Sequence, residues 1–207
     1  MAPRSSPRDR YHHGDLKRAL VEAALTAVER DGHEALSLSG LADAAGVARS
    51  APYRHFESRD ALLAAVAAEG FELMIEDLRQ AAEGAAPANI VRRSAEAALG
   101  FAERRPNLFR LMFRSELLVR PGGPPSELKG PADLAYRRFE AAVAAALPGA
   151  DERTVKGAAI AIWSAVFGFA VLTAEGRVKP FMRGPMTPEE LRARALDVIG
   201  AMLNGPS

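Results

Sequence analysis

Side chains able to do covalent or metal chemistry are few in this chain and unevenly placed. Cysteine is absent, which removes disulfides, zinc thiolates and thiol nucleophiles together. All four histidines, His12, His13, His33 and His55, precede residue 60. The rest of the chain therefore lacks the base that an activated Ser or Cys nucleophile requires. The adjacent His12 and His13 raise the question of a metal, but with no Cys and one other His nearby they do not make a ligand set. What remains for catalysis is a lone acid such as Glu116, without His, Cys or metal beside it. These residues predict no catalytic site, no metal and no cofactor.

The residue types that do cluster suit another chemistry. At 49–55 the chain reads Arg49-Ser50-Ala51-Pro52-Tyr53-Arg54-His55. An arginine can bond a guanine edge through two N–H groups, an alanine can touch a thymine methyl, and Tyr or His can reach a phosphate. Bulk charge gives no such signal. The formal net charge is +1, and residues 1–60 hold nine Lys+Arg against nine Asp+Glu. Any nucleic-acid reading must rest on placement.

The elements around the cluster supply that placement. With 207 residues, 48% of them hydrophobic, the chain can bury a small domain plus a medium one. Apolar residues recur at helical spacing and no stretch alternates as a strand does, so the fold class is read as all-α. A first helix is expected over 15–30, two short helices over 39–45 and 49–56, and a long helix from Ser58, a suitable N-cap, to about 82. Leu38, Leu41, Ala42 and Ala45 can face inward from the first short helix, Gly46 allows a tight turn, and Val47 anchors the second. That is the spacing of a helix-turn-helix inside an N-terminal three-helix bundle. On residue types alone the same pattern also fits a surface helix with solvated charges.

Downstream, Pro-punctuated helices are expected over 88–104, 106–118, 132–147, 152–176 and 188–203, with Pro131 at a helix start and 120–125 as a loop. Arg104-Arg105-Pro106 reads either as a solvated helix end, the preferred reading, or as a point that transmits movement from a bound ligand. The charged, Pro-rich start is no signal peptide, and no run is expected to approach a membrane span, so a soluble cytoplasmic protein without a membrane partner is predicted.

Residues 11–75 resemble the DNA-binding domain of the TetR/AcrR family of regulators. Gly46-Val47, Tyr53-Arg54-His55-Phe56 and Ser58-Arg59-Asp60-Ala61-Leu62-Leu63 match that family's order and spacing. The resemblance implies that Tyr53 and His55 contact phosphates, that Arg49, Ser50, Ala51 and Arg54 face the major groove, and that Phe56 is core. It places Arg59 at a basic phosphate-contacting position, and Ser37 and Ser39 where the short helix meets the DNA backbone. Tyr11 to Gly14 resembles the family's usual opening and would lie against the DNA. Two positions depart from the pattern. Ala48 stands where a capping Ser or Thr is frequent. Pro52 replaces a frequent Leu, within the first turn or just past it, where a missing N–H costs least.

The segment Ile162-Trp-Ser-Ala-Val-Phe-Gly-Phe169 resembles the Trp-x-x-x-His-Gly element of one C-terminal domain type of the family, with Phe167 in the place of His. Phe101 to Phe113 resembles that domain's central helix pair. The expected ligand-binding residues are Phe101, Phe109, Met112, Phe113, Tyr136, Phe139, Trp163 and Phe167, around a largely apolar effector. Ile160, Ala161, Ala165, Val171 and Leu172, with Leu191, Ala195, Leu196, Val198, Ile199 and Leu203, would pair with a second copy as a homodimer. The resulting expectation is a flexible basic arm at 1–10, a DNA-binding domain at 11–60 and a helical effector-binding and dimerisation domain at 61–207. The implied function is that of a repressor released from a palindromic operator, with double-stranded DNA and a small molecule as partners.

Overall fold

The computed structural model describes residues 13–113, 115–118 and 125–203, and the regular structure among them is all helical. The expected arm at 1–10, Tyr11, His12 and the loop at 120–124 lie outside the described residues.

Helix α1 (His13–Asp31) buries Leu20, Ala24 and Val28, four residues apart and so on one face. Helix α2 (Leu38–Ala44) starts at Ser37, whose hydroxyl accepts from the Gly40 N–H at 3.1 Å. Its end is a paired-bond C-terminal cap: Val47 N–H donates to the Ala42 carbonyl at 3.0 Å and Gly46 N–H to that of Asp43 at 3.2 Å. Gly46 sits at φ 66° to allow this, a left-handed conformation that a side chain would disfavour.

The expected helix over 49–56 is not a regular α-helix. A turn closed by Ala51 N–H to the Ala48 carbonyl at 2.8 Å leads into a single 3-10 turn, Pro52–Arg54. Two sequence features explain this. Pro52 has no N–H to offer the carbonyl four residues back, and Ala48 has no side chain with which to cap a helix start. Only Phe56 N–H, donating to the Pro52 carbonyl at 2.9 Å, restores α-type spacing.

Helix α3 (Arg59–Ala82) is capped by the Ser58 hydroxyl, which accepts from Ala61 N–H at 3.1 Å. It is the spine of the molecule and packs on α1 and, farther along the chain, on α4 (Pro87–Arg104), α5 (Pro106–Met112) and α7 (Ser126–Ala146). A methyl group on Gly70 would stand 2.7 Å from Met112 Sδ, so glycine is what lets α3 and α5 approach. The expected single helix over 106–118 breaks at Phe113, with α6 (Ser115–Leu118) beyond it. Helix α7 begins earlier than Pro131, which lies inside it, its first turn pinned by the buried Leu128.

Helix α8 (Glu152–Ala174) is capped by Asp151, which accepts from Thr154 N–H at 2.8 Å. A short α9 (Pro180–Arg183), not anticipated from the sequence, precedes α10 (Pro188–Ala201). The latter opens with Thr187 and Glu190 capping each other's backbone N–H groups. One correction concerns α8: it is long and apolar enough to cross a membrane by length and composition, and only 22% of its most apolar stretch is buried.

Candidate DNA-binding surface and ligand cavity

The helix-turn-helix presents Ser39, Arg49, Ser50, Tyr53 and Arg54 to solvent, while Ala51 and His55 are half-buried. Tyr53 is 59% exposed, an unusual position for so large a ring. Pro52 and Phe56 face inward on the same turn, and Lys17 Nζ lies 5.7 Å from the centre of the Phe56 ring. Arg49 is held in place: Nε and Nη2 each donate to one carboxylate oxygen of Asp43 at 3.1 Å. Ser37 is exposed but its oxygen already caps α2.

Arg59 differs from the expectation of a phosphate contact. Its Nε donates to the Leu36 carbonyl at 2.7 Å, and Nη2 donates to the carbonyls of His33 and Glu34. These N–H groups brace the loop between α1 and α2 against the start of α3, so they face the protein.

In the C-terminal half, a cavity of about 240 Å³ lies between helices. Helix α3 contributes Phe71, Met74 and Leu78, and α4 contributes Ser94, Ala95 and Ala98. Tyr136 and Phe139 close it from α7, Trp163 and Val166 from α8, and Phe113 from the break after α5. Of the eight residues expected to bind ligand, Phe113, Tyr136, Phe139 and Trp163 line it. The other four do not line it. Phe101 and Met112 are buried in the core at 1% and 0% exposure. Phe109 and Phe167 form a second layer, their ring centres 4.8 and 5.2 Å from that of Phe113.

The α3 and α4 walls were missed. Ser94 offered the usable signal, as a polar residue on the otherwise apolar face of α4 made by Val91, Ala95 and Ala98. A second cleft, of about 480 Å³, runs between α4, α8 and α10 past the Arg192–Glu103 ion pair but does not touch α3.

The Arg104-Arg105 corner is a helix end whose Arg104 is exposed, and both arginines also pair with other helices. Arg104 Nη2 donates to Asp77 of α3 at 2.6 Å, Arg105 pairs with Glu29 of α1, and the Asn107 amide donates to the Glu29 carbonyl at 3.0 Å. The corner thus ties the cavity-bearing helices to two of the helices that carry the helix-turn-helix.

Residues 20–66 match the model for bacterial regulatory proteins of the tetR family, and residues 91–202 match a tetracyclin repressor-like C-terminal domain. The chain belongs to the TetR family. This TetR regulator is 30% identical over 162 residues to an uncharacterised HTH-type transcriptional regulator of Mycobacterium tuberculosis, covering 77% of this chain and 71% of that one. A solved protein of unknown function from Rhodococcus sp. RHA1 superposes with a TM-score of 0.74 at 30% identity, covering 93% of this chain and 97% of that one. The TetR family regulator PfmR from Thermus thermophilus shares the fold at a TM-score of 0.59 and 22% identity, over 91% of this chain and 98% of that one. The protein is therefore a DNA-binding transcriptional regulator of a non-enzymatic family, whose members act on DNA as dimers and respond to small molecules.

Proposed function

We propose that this TetR regulator is a dimeric repressor that holds a palindromic operator and releases it when a small, largely apolar effector enters the cavity beside α3. The observation that carries the reading is that one helix serves both sites. Helix α3 starts directly after the recognition turn and, farther along, walls the cavity with Phe71, Met74 and Leu78. A ligand that displaces this wall moves the helix whose first turn is clamped by Arg59 to the α1–α2 loop. For the effector to act, it must bind the DNA-incompetent form better, and a tenfold preference lowers operator affinity about tenfold.

The contact set we assign is Arg49, Ser50, Ala51 and Arg54 toward bases, and Tyr53, His55, Ser37 and Ser39 toward phosphates. Arg59 acts by positioning. Exposed Ile160 and Leu172 on α8, with Val198 on α10 and Met202 at its C-cap, supply the dimer face. Leu196 and Ile199, expected there from the sequence, are instead 1% and 2% exposed within their own chain. Pairing places two recognition turns about 34–36 Å apart, the spacing of successive major grooves. This reading also accounts for the apolar, poorly buried α8 without a membrane.

The test is selection from a random DNA pool with the purified protein. A recovered sequence with two inverted half-sites supports the reading. Affinity that is independent of sequence and steep in salt would make the protein a non-specific DNA binder.

A further inference from the structure

We infer that the cavity takes a neutral, mostly apolar molecule of roughly ten heavy atoms carrying a hydrogen-bond acceptor, and that the Ser94 hydroxyl donates to that acceptor. The inference rests on the effector reading above and specifies its chemistry.

Ser94 is the only buried polar residue among those described, at 4% exposure, and it lines the cavity. Three other hydroxyl side chains inside helices turn back on their own helix. Thr26 donates to the Glu22 carbonyl at 3.0 Å, Ser164 to that of Ile160 at 2.8 Å and Thr173 to that of Phe169 at 2.8 Å. Ser94 makes no such turn: it is buried against the cavity and its hydroxyl has no protein partner among the described residues. A buried hydroxyl without a partner is destabilising, and alanine would fill the position on this Ala-rich face with less penalty. A ligand oxygen within the cavity supplies the missing partner.

The lining also fixes the ligand's charge and size. No charged side chain lines the cavity among the described residues, so an ionised ligand would lose its water without gaining a counter-charge. An apolar cavity of about 150 Å³ takes one benzene. By that scale 240 Å³ holds a ring with short substituents or a compact bicyclic skeleton. Ketones, lactones, esters and alcohols of that size carry the required acceptor.

The chain provides its own reporter, because its one tryptophan, Trp163, stands in the cavity wall. Titration of the full-length protein with menthone, with p-menthane and with p-menthane-3-carboxylate compares a ketone, the same skeleton without oxygen, and that skeleton bearing an ionised carboxylate. Trp163 emission should shift with menthone, which should bind about tenfold more tightly than p-menthane, the net gain of one neutral hydrogen bond. In Ser94→Ala the two should bind alike, with p-menthane affinity unchanged and thermal stability equal to or above that of the parent. Menthone preference surviving in Ser94→Ala overturns the assignment of Ser94, and the anion binding as tightly as menthone overturns the neutral-ligand claim; either leaves the effector site standing. No response of Trp163 or of DNA affinity to any of the three overturns the effector reading and this inference with it.

Discussion

Replacing Arg59 with alanine separates two roles that the sequence alone merges. In the structure its Nε and Nη2 donate to the carbonyls of Leu36, His33 and Glu34, in a partly buried setting. Hydrogen bonds from a charged group contribute about 1.5–3 kcal/mol each when well formed. The 3.4 Å bond to Glu34 is weak and exposed, and water can reach part of the loop once the side chain is gone. The expected net loss is therefore about 2–3 kcal/mol rather than the full sum. For a chain of 207 residues this lowers Tm by roughly 5–10 °C, at about 2–4 °C per kcal/mol. Circular dichroism melts read it directly. Arg59→Lys should recover only part, since one ammonium cannot reproduce the forked pattern. DNA binding by Arg59→Ala, measured well below its Tm, should keep the parent's salt dependence, because the clamp does not neutralise a phosphate. The reasoning is refuted if Tm is unchanged while the log–log salt slope falls by about 0.9, the signature of one lost phosphate contact.

Arg49→Ala should weaken binding to the selected operator by about 10- to 100-fold, the range of a lost base contact, and Tyr53→Ala should weaken it across sequences; footprints unchanged in both, with the dimer intact, would remove the recognition turn from the interface. Gly70→Ala should destabilise by about 1 kcal/mol in denaturant titration, because overpacking against Met112 and Leu108 exceeds the helix-propensity gain; a stabilised variant would show that α3 and α5 can separate freely. Arg79, and after it Gln80, holds the Glu76 carboxyl down to about 2, against an ordinary value of 4.5. Since the folded-state value is depressed, this stabilisation is complete above about pH 4.5 and is lost as pH falls toward about 2, so Glu76→Gln should flatten that part of the acid-denaturation profile; the amplitude is small for so exposed a pair.

Periodicity was the legible part of this sequence. Helix starts that carry their own signal, Ser58, Pro87, Pro106 and Pro188, fall where spacing and capping chemistry place them. The misjudged starts share a cause, which is that tertiary packing overrides a local marker. Pro131 looks like a beginning, but the burial of Leu128 extends α7 backward past it. The break at Phe113 has no Gly or Pro to announce it, and its ring is enclosed by Phe71, Phe109, Trp163 and Phe167. Pro52 is the opposite case. Its missing N–H is legible in the sequence and harmless at a first turn by itself, but with Ala48 unable to cap the start it costs the recognition element its α-helical spacing.

The ligand residues show why bulk is a poor guide to a cavity. Phe101 and Met112 are large and apolar and are spent on packing, whereas the small Ala95 and Ala98 leave the space that Phe113 and Trp163 border. A cavity between helices forms where side chains are short on one wall, so a stripe of alanines broken by one buried serine marked it better than the aromatic residues did. In the effector mechanism proposed above, the same wall is the start of a route to the DNA-binding unit. Below it, Arg104 joins α4 to Asp77 of α3, and Arg105 and Asn107 join the next turn to Glu29 of α1. Helices α1 and α3 are therefore tied to the corner that follows the short-residue wall as well as to each other, so a shift of α4 acts on the helix-turn-helix at two points. Two attachments favour movement of the DNA-binding unit as one body, which is what a change in spacing between paired recognition turns requires.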